Sequence, residues 1–349
     1  MDELQKTEAR NYLVAGGLLL FGLILVLIDF GLNPGSDTTL SMISPIGGIM
    51  LLIIGIILLV LHKRNIAGIS FILSGVTNIV AGFSLMFFSS GFNCMYAIAT
   101  IVCLMWGIIL FFSKDRHKWI FAPLCILFGV QVFAGLFPDT EAGITFRLVC
   151  DIISIVIAVY FALAAGFERI SLPGRCIITA DETIEFKQSG SSVGYVLFAG
   201  LAVAYVLMYL GVPAFSATPD AVHPASFGFG TMLILIGILL FAIGKMRFTP
   251  VMFFLLGIAE MLAWFSSGPM LYALGAFVVI TGIFAMLRKE SRILPGLMLI
   301  IYGASFFISV WVTGTAISPI ASVLLNIIPA AIAVYLAVAT LSQRKIPLF

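Results

Sequence analysis

Residues 71–84 read Phe-Ile-Leu-Ser-Gly-Val-Thr-Asn-Ile-Val-Ala-Gly-Phe-Ser, and 182 positions later residues 253–266 read Phe-Phe-Leu-Leu-Gly-Ile-Ala-Glu-Met-Leu-Ala-Trp-Phe-Ser. Both stretches are apolar. Each places one polar side chain, Asn78 or Glu260, three residues after a glycine and three before an alanine. A recurrence of this kind points to a chain made from two copies of one unit. The same offset pairs Gly48 with Gly230, Met50 with Met232 and Gly55 with Gly237. Further along, Ile157-Ala-Val-Tyr160-Phe-Ala-Leu-Ala164 returns as Ile332-Ala-Val-Tyr335-Leu-Ala-Val-Ala339, and Lys114-Asp115 as Lys289-Glu290, now at an offset of 175. One seven-residue deletion in a loop of the second copy reconciles the two offsets, and loops are where length changes are tolerated.

The composition fixes the solvent. Of 349 residues, 62% are hydrophobic and 10% charged, against about a quarter charged in soluble domains. Lys and Arg number 18 and Asp and Glu 16, a net charge of +2 that is too sparse for a nucleic-acid surface. The five cysteines (Cys94, Cys103, Cys125, Cys150 and Cys176) are odd in number and scattered, with no C-x-x-C and no histidine near them in sequence. This excludes a disulfide framework and a zinc site, and no metal or cofactor is expected. Hydrolase and nucleotide-binding motifs are also missing, so an enzyme is not expected.

A bilayer core of about 30 Å needs about 20 apolar residues in a helix. Twelve runs qualify. They lie near 12–32, 43–62, 66–88, 94–113, 119–137, 143–167, 193–211, 225–246, 249–268, 269–287, 293–313 and 319–341. The expected fold is therefore all-α, a polytopic integral membrane protein whose twelve transmembrane helices form two six-helix repeats. Six is even, so the repeats insert in parallel orientation. The first repeat covers residues 1–169, a charged cytoplasmic linker 170–192, and the second repeat 193–349. With the N-terminus inside, every Lys and Arg except Arg147 falls on the cytoplasmic side, the distribution that sets topology. Both termini are expected in the cytoplasm, the chain in the cell membrane, and no removable signal peptide is read at Met1–Asn11.

Charges within hydrocarbon are costly and tend to face a bundle interior or a cavity. Glu260 lies near the middle of the ninth span and is a candidate proton or substrate group; Asn78 is its repeat partner. Arg147 and Asp151 are one turn apart on the sixth span, read as near its outer end, where they can pair or attract an anion. Asp29 lies near the end of the first span. Gln131 on the fifth span, with Phe306 beside Ser305 at its repeat position, and Asn326, aligned with Asp151, complete the candidate path. The bland reading of each is interhelical hydrogen bonding. Glycines at 48 and 55, and at 230, 237 and 244, form close-packing stripes. Pro123, Pro295 and Pro329 suggest kinks. His62 and His117 are read as part of the basic rim.

The residues Leu104-Met-Trp106-Gly107-Ile-Ile-Leu-Phe111-Phe112-Ser-Lys114, then Ala158-Val-Tyr160-Phe-Ala-Leu-Ala164 with Glu168 and Leu172-Pro173-Gly174, resemble the fourth and last spans of the acetate uptake transporter family. The first-span Asn-Pro-x-Pro-Leu-Gly pattern of that family has only the loop fragments Asn33-Pro34-Gly35 and His223-Pro224-Ala225 here, and Gly47-Gly48-Ile-Met50-Leu51 lacks the family's glutamine. The resemblance implies a six-span unit that carries acetate, and, because the family assembles as hexamers of such units, a homo-trimer of the fused pair. The expected function is a secondary transporter or channel-like permease for a small monocarboxylate such as acetate, proton-linked, with the lipid bilayer and a small anionic or neutral solute as partners. The competing expectations are a non-transporting membrane scaffold or accessory subunit, and a carrier of another solute with major-facilitator-like halves. A cavity reaching Glu260 would favour transport, and a dry bundle the scaffold.

Overall fold

A computed structural model describes residues 3–29, 37–87, 92–113, 115–131, 141–166, 177, 197–204, 206, 222–243, 248–265, 269–287, 293–312 and 318–341. Every regular element among them is a helix. These are α1 (Glu3–Asp29), α2 (Asp37–Val60), α3 (Asn65–Phe87), α4 (Phe92–Phe111), α5 (Lys118–Val130), α6 (Glu141–Gly166), α7 (197–204), α8 (Val222–Ile243), α9 (Phe248–Phe265), α10 (Pro269–Leu287), α11 (Ile293–Val312) and α12 (Ser318–Leu341). Each falls on one of the apolar runs. The turns between them are made by residues that break or end helices: Lys63 has φ 52°, and the Arg64 amide reaches back to the Leu58 carbonyl at 2.9 Å to close the end of α2. The expected linker, 170–192, lies outside the described residues apart from Ile177.

Among the described residues, four helices are both long and apolar enough to cross a membrane: Glu8–Leu27, Met42–Val60, Glu141–Gly166 and Met270–Leu287. Shorter apolar helices accompany them, among them Asn65–Val80, Thr249–Ala263 and Ile293–Ile308. The outer faces carry large apolar side chains. On α2, Ile46, Ile49, Met50, Ile53 and Ile56 are exposed, and on α6, Ile144, Val149, Ile152, Ile153 and Val156. Water does not tolerate continuous apolar stripes of this size, whereas lipid does.

The helices divide into two compact units, Met1–Phe92 with Ala99–Glu185, and Asn93–Ile98 with Phe186–Phe349. In the first, α3 is the hub. Ser70, Ser74, Thr77 and Asn78 line it and are all buried, and the Trp106 indole N–H of α4 donates to the Ser70 hydroxyl at 2.9 Å. Thr77 gives its hydroxyl to its own helix at Leu73 (2.8 Å) and touches the Cys103 sulfur at 3.3 Å. Phe71 meets Phe121 edge to face.

The glycine stripes form the closest seams. A Cβ on Gly48 would stand 2.6 Å from the Gly75 carbonyl oxygen, and one on Gly55 2.7 Å from that of Gly68, so α2 and α3 touch backbone to backbone. In the second unit Gly230 and Gly257 meet in the same way across α8 and α9, at 2.7 and 2.6 Å, and Gly275 and Gly282 meet Gly303 and Gly296 across α10 and α11. Small residues that let backbones approach are the usual basis of helix association in lipid.

α1 begins at Glu3, ahead of the apolar run read from residue 12, and its Glu, Gln, Lys and Arg residues are good helix formers. One local expectation changes. Pro295 falls in the first turn of α11, where its missing N–H is not needed, so it makes no kink. The interior prolines are Pro45, Pro123 and Pro329.

Candidate functional site

Two acids of the described residues lie deep in helices, one in each unit. In the second unit Glu260 stands twelve residues into α9, about 18 Å along it. Its carboxyl is 2% exposed and accepts a hydrogen bond from the Tyr302 hydroxyl of α11, itself 5% exposed. Tyr302 stacks edge to face on Phe306 one turn later, which fixes the ring that carries the hydroxyl. The Ser305 hydroxyl turns back to the Tyr302 carbonyl at 2.6 Å.

In the first unit the corresponding α3 position, Asn78, holds no acid. Its side-chain amide donates to the Ser74 carbonyl at 2.8 Å, and the Ser44 hydroxyl of α2 donates to the Asn78 backbone carbonyl at 2.9 Å. The acid of this unit is Asp151 on α6, 1% exposed, which accepts a hydrogen bond from the side-chain amide of Gln131 at the end of α5. Arg147, one turn earlier, approaches Asp151 through Nε at 3.8 Å, but its own side chain is 51% exposed. α6 starts at Glu141, so Asp151 is ten residues into the helix, about 15 Å deep. Asp151 is thus ten residues from the start of its helix and Glu260 twelve from the start of its own, with Arg147 one turn nearer the start of α6.

Of the six candidate residues, the structure thus brings Gln131, Asp151 and Arg147 together and leaves Asn78 and Glu260 in separate pairs. The side chains of Asn326 and Asp29 lie outside the described residues. Tyr302 was missed by sequence reasoning. Its position three residues before Ser305, on the helix face already marked as polar, is the pattern that could have found it.

A third cluster was also missed. At the α2–α3 and α4–α5 turns, Arg64, Asp115 and His117 are all buried. His117 Nδ1 lies 2.7 Å from Asp115 Oδ1, and Arg64 Nη1 lies 3.1 Å from His117 Nε2. A carboxylate only accepts and a guanidinium only donates, so the imidazole carries its proton on Nδ1 and accepts at Nε2. The His117 backbone N–H adds a second bond to Asp115 at 2.8 Å. His117 is therefore no exposed member of a basic rim but the link between two turns. Nearby His62 is held below the ordinary imidazole pKa of 6.5, first by partial burial and then by Arg10 and Arg64.

An apolar groove of about 530 Å³ lies between α7 and α12 in the second unit, lined by Val203, Val206, Ile327, Ala330, Val334 and Tyr335 among others, and by none of the buried acids. No protein-family model, curated protein or solved structure matches this chain.

Proposed function

We propose that this chain is a twelve-span secondary transporter of a small monocarboxylate, proton-linked, built from two parallel six-span repeats, and that Glu260 carries the proton. The carrying observation is the Glu260–Tyr302 pair, a buried carboxyl with a dedicated hydroxyl donor between two apolar helices. Hydrocarbon admits ionisable groups at a cost of about 2.5–3.5 kcal/mol each on insertion scales, so they are kept where function uses them. The repeat supports the span count: the twelve helical segments fall on the twelve apolar runs, and the glycine seam of α2 and α3 has its equal in α8 and α9. Membrane residence is further supported by the four long apolar helices.

The substrate class rests on the resemblance to acetate carriers at residues 104–114 and 158–174. Orientation with both termini inside rests on the placement of Lys and Arg. Both acids are shut from the surface in this conformation, so uptake requires helices to part. The competing scaffold reading takes the same pair as a static cross-link. The two readings separate in purified protein reconstituted in liposomes, with labelled acetate and an inward proton gradient. A transporter gives saturable, gradient-stimulated uptake that Glu260→Gln uncouples from the gradient and Tyr302→Phe weakens. A scaffold gives no uptake with any variant.

A further inference from the structure

The geometry points to a second proton-binding station at Asp151, positioned by Gln131, so that each half carries, within a helix, one buried acid held by a donor from another helix, at different places in the repeated unit. This rests on the proton-linked reading above and extends it to the first half.

The argument begins with register. Gly107 of α4 lies against the Ala122 carbonyl and the Ile126 amide nitrogen of α5, and Gly282 of α10 lies against the Gly296 carbonyl and the Ile300 amide nitrogen of α11. In return Gly129 lies against Leu104, and Gly303 against Val279. Gly107 and Gly282, like Leu104 and Val279, are 175 residues apart, whereas Ala122 and Gly296, Ile126 and Ile300, and Gly129 and Gly303 are 174 apart. Helices α5 and α11 therefore match one residue out of step with their neighbours. Phe128 becomes the counterpart of Tyr302, and Ser305, not Phe306, that of Gln131.

With this register the acids and donors vary together. Where the second half has Glu260 and the Tyr302 hydroxyl, the first has Asn78 and Phe128, a ring of the same shape without the hydroxyl. Where the first half has Asp151 and the Gln131 amide, the second has Asn326 and Ser305, whose hydroxyl is turned to the Tyr302 carbonyl. At both places the donor comes and goes with the carboxyl, which marks acid and donor as one unit. A carboxyl that takes up and releases a proton needs a donor, because a buried oxygen left without a partner is destabilising in both states.

The charged groups around Asp151 can be named element by element. On α6 its charged neighbour is Arg147, which makes an ion pair with it at 3.8 Å from a side chain half in the open, with the Cys150 thiol adjacent. On α5 the one charged residue is Lys118, at the opposite end from Gln131. On α1, which also packs on α6, the charged residues are Glu3, Lys6, Glu8 and Arg10 in the first third and Asp29 at the last position.

The test uses dicyclohexylcarbodiimide on the full chain in liposomes at neutral pH. A protonated carboxyl adds across one C=N bond of this lipid-soluble reagent. Its oxygen bonds to the central carbon, its proton goes to nitrogen, and the adduct rearranges to a stable N-acylurea with nothing lost. Peptide mass mapping is expected to find adducts on both Glu260 and Asp151, with Glu260→Gln leaving the Asp151 adduct unchanged. Gln131→Leu should alter Asp151 labelling about tenfold, the equivalent of one hydrogen bond to a charged group, without touching Glu260. Gln131→Asn should restore it in part. An adduct on Glu260 with none on Asp151, appearing at Asp151 only in Arg147→Gln, makes Asp151 an ion-paired carboxylate and overturns this inference while the proposed function stands. An adduct on Asp151 alone removes Glu260 from the proton reading and overturns the two-station inference, leaving a single station in the first half. No adduct on either, when the unfolded chain reacts, overturns both.

Discussion

Alanine in place of Gly48 is a small change with a calculable result. The added Cβ would lie 2.6 Å from the Gly75 carbonyl oxygen and 2.9 Å from the Ile79 amide nitrogen. Both are backbone atoms of α3, so no side-chain rotation makes room. Ordinary contact begins at about 3.4 Å, which requires α2 and α3 to separate by about 0.8 Å along the seam. Overpacking of this kind costs about 1–3 kcal/mol. Alanine returns about 1 kcal/mol over glycine in helix propensity, which leaves a net loss of up to about 2 kcal/mol. Gly16→Ala on α1 is the control, because a Cβ there meets nothing within 4 Å; it keeps the propensity gain and should stabilise by up to about 1 kcal/mol. The two variants are thus expected to bracket the parent protein. Unfolding in mixed micelles can be followed with a thiol-reactive dye, since Cys103, Cys125 and Cys150 are free and buried. The double variant Gly48→Ala, Gly75→Ala should cost less than the sum of its parts, because the first spreading of the helices makes room for the second methyl. If Gly48→Ala proves as stable as Gly16→Ala, the backbone seam is not what holds α2 to α3 and the reasoning fails.

Two further outcomes are expected. Arg64→Met should lower stability by about 3–5 kcal/mol, since it opens a buried charged network with Asp115 and His117, whereas Arg116→Gln, on an exposed residue of the same turn, should stay within about 0.5 kcal/mol; equal effects in the micelle unfolding assay would refute the network. His62 has its folded pKa lowered, so between the folded value and 6.5 the unfolded chain binds more protons than the folded one, and the contribution to stability is present above pH 6.5 and lost as the pH falls through that window. Thermal scans across that range should therefore show a fall in midpoint that His62→Asn flattens, and an unchanged fall in the variant would assign the slope to other groups.

The helices were legible because in this chain they need only be apolar and long, and the breaks between them are written in charges, glycine and proline. Pro269 to Leu287 is read with the same ends from the sequence and from the structure. The polar pairs were less so. The sixth span was read from Gly143, and two more residues, Ala142 and the charged Glu141, belong to the first turn of its helix. Tyr302 carries no formal charge and hides among aromatic residues that pack. The Arg64–His117–Asp115 network joins turns 53 residues apart, and sequence spacing holds no trace of such a contact. Short, charged loops look alike whether their side chains meet solvent or each other. The one-residue step of α11 was invisible for a related reason: apolar helices slide past one another in alignment without penalty until a glycine contact fixes them.

The glycine seams also determine which motions are cheap. Where two backbones touch over two turns, as α8 and α9 do at Gly230 and Gly257, and α10 and α11 along Gly275, Gly282, Gly296 and Gly303, each helix pair forms one closely packed body. Glu260 belongs to the first of these bodies and Tyr302 to the second. Their hydrogen bond is thus a clasp between two packed hairpins, and a displacement that parts them breaks one hydroxyl contact while both seams stay whole. The same holds in the first half, where Gln131 ends the hairpin of α4 and α5 and Asp151 stands on α6. A change of shape in this protein would run along these joints, and each acid sits at one of them.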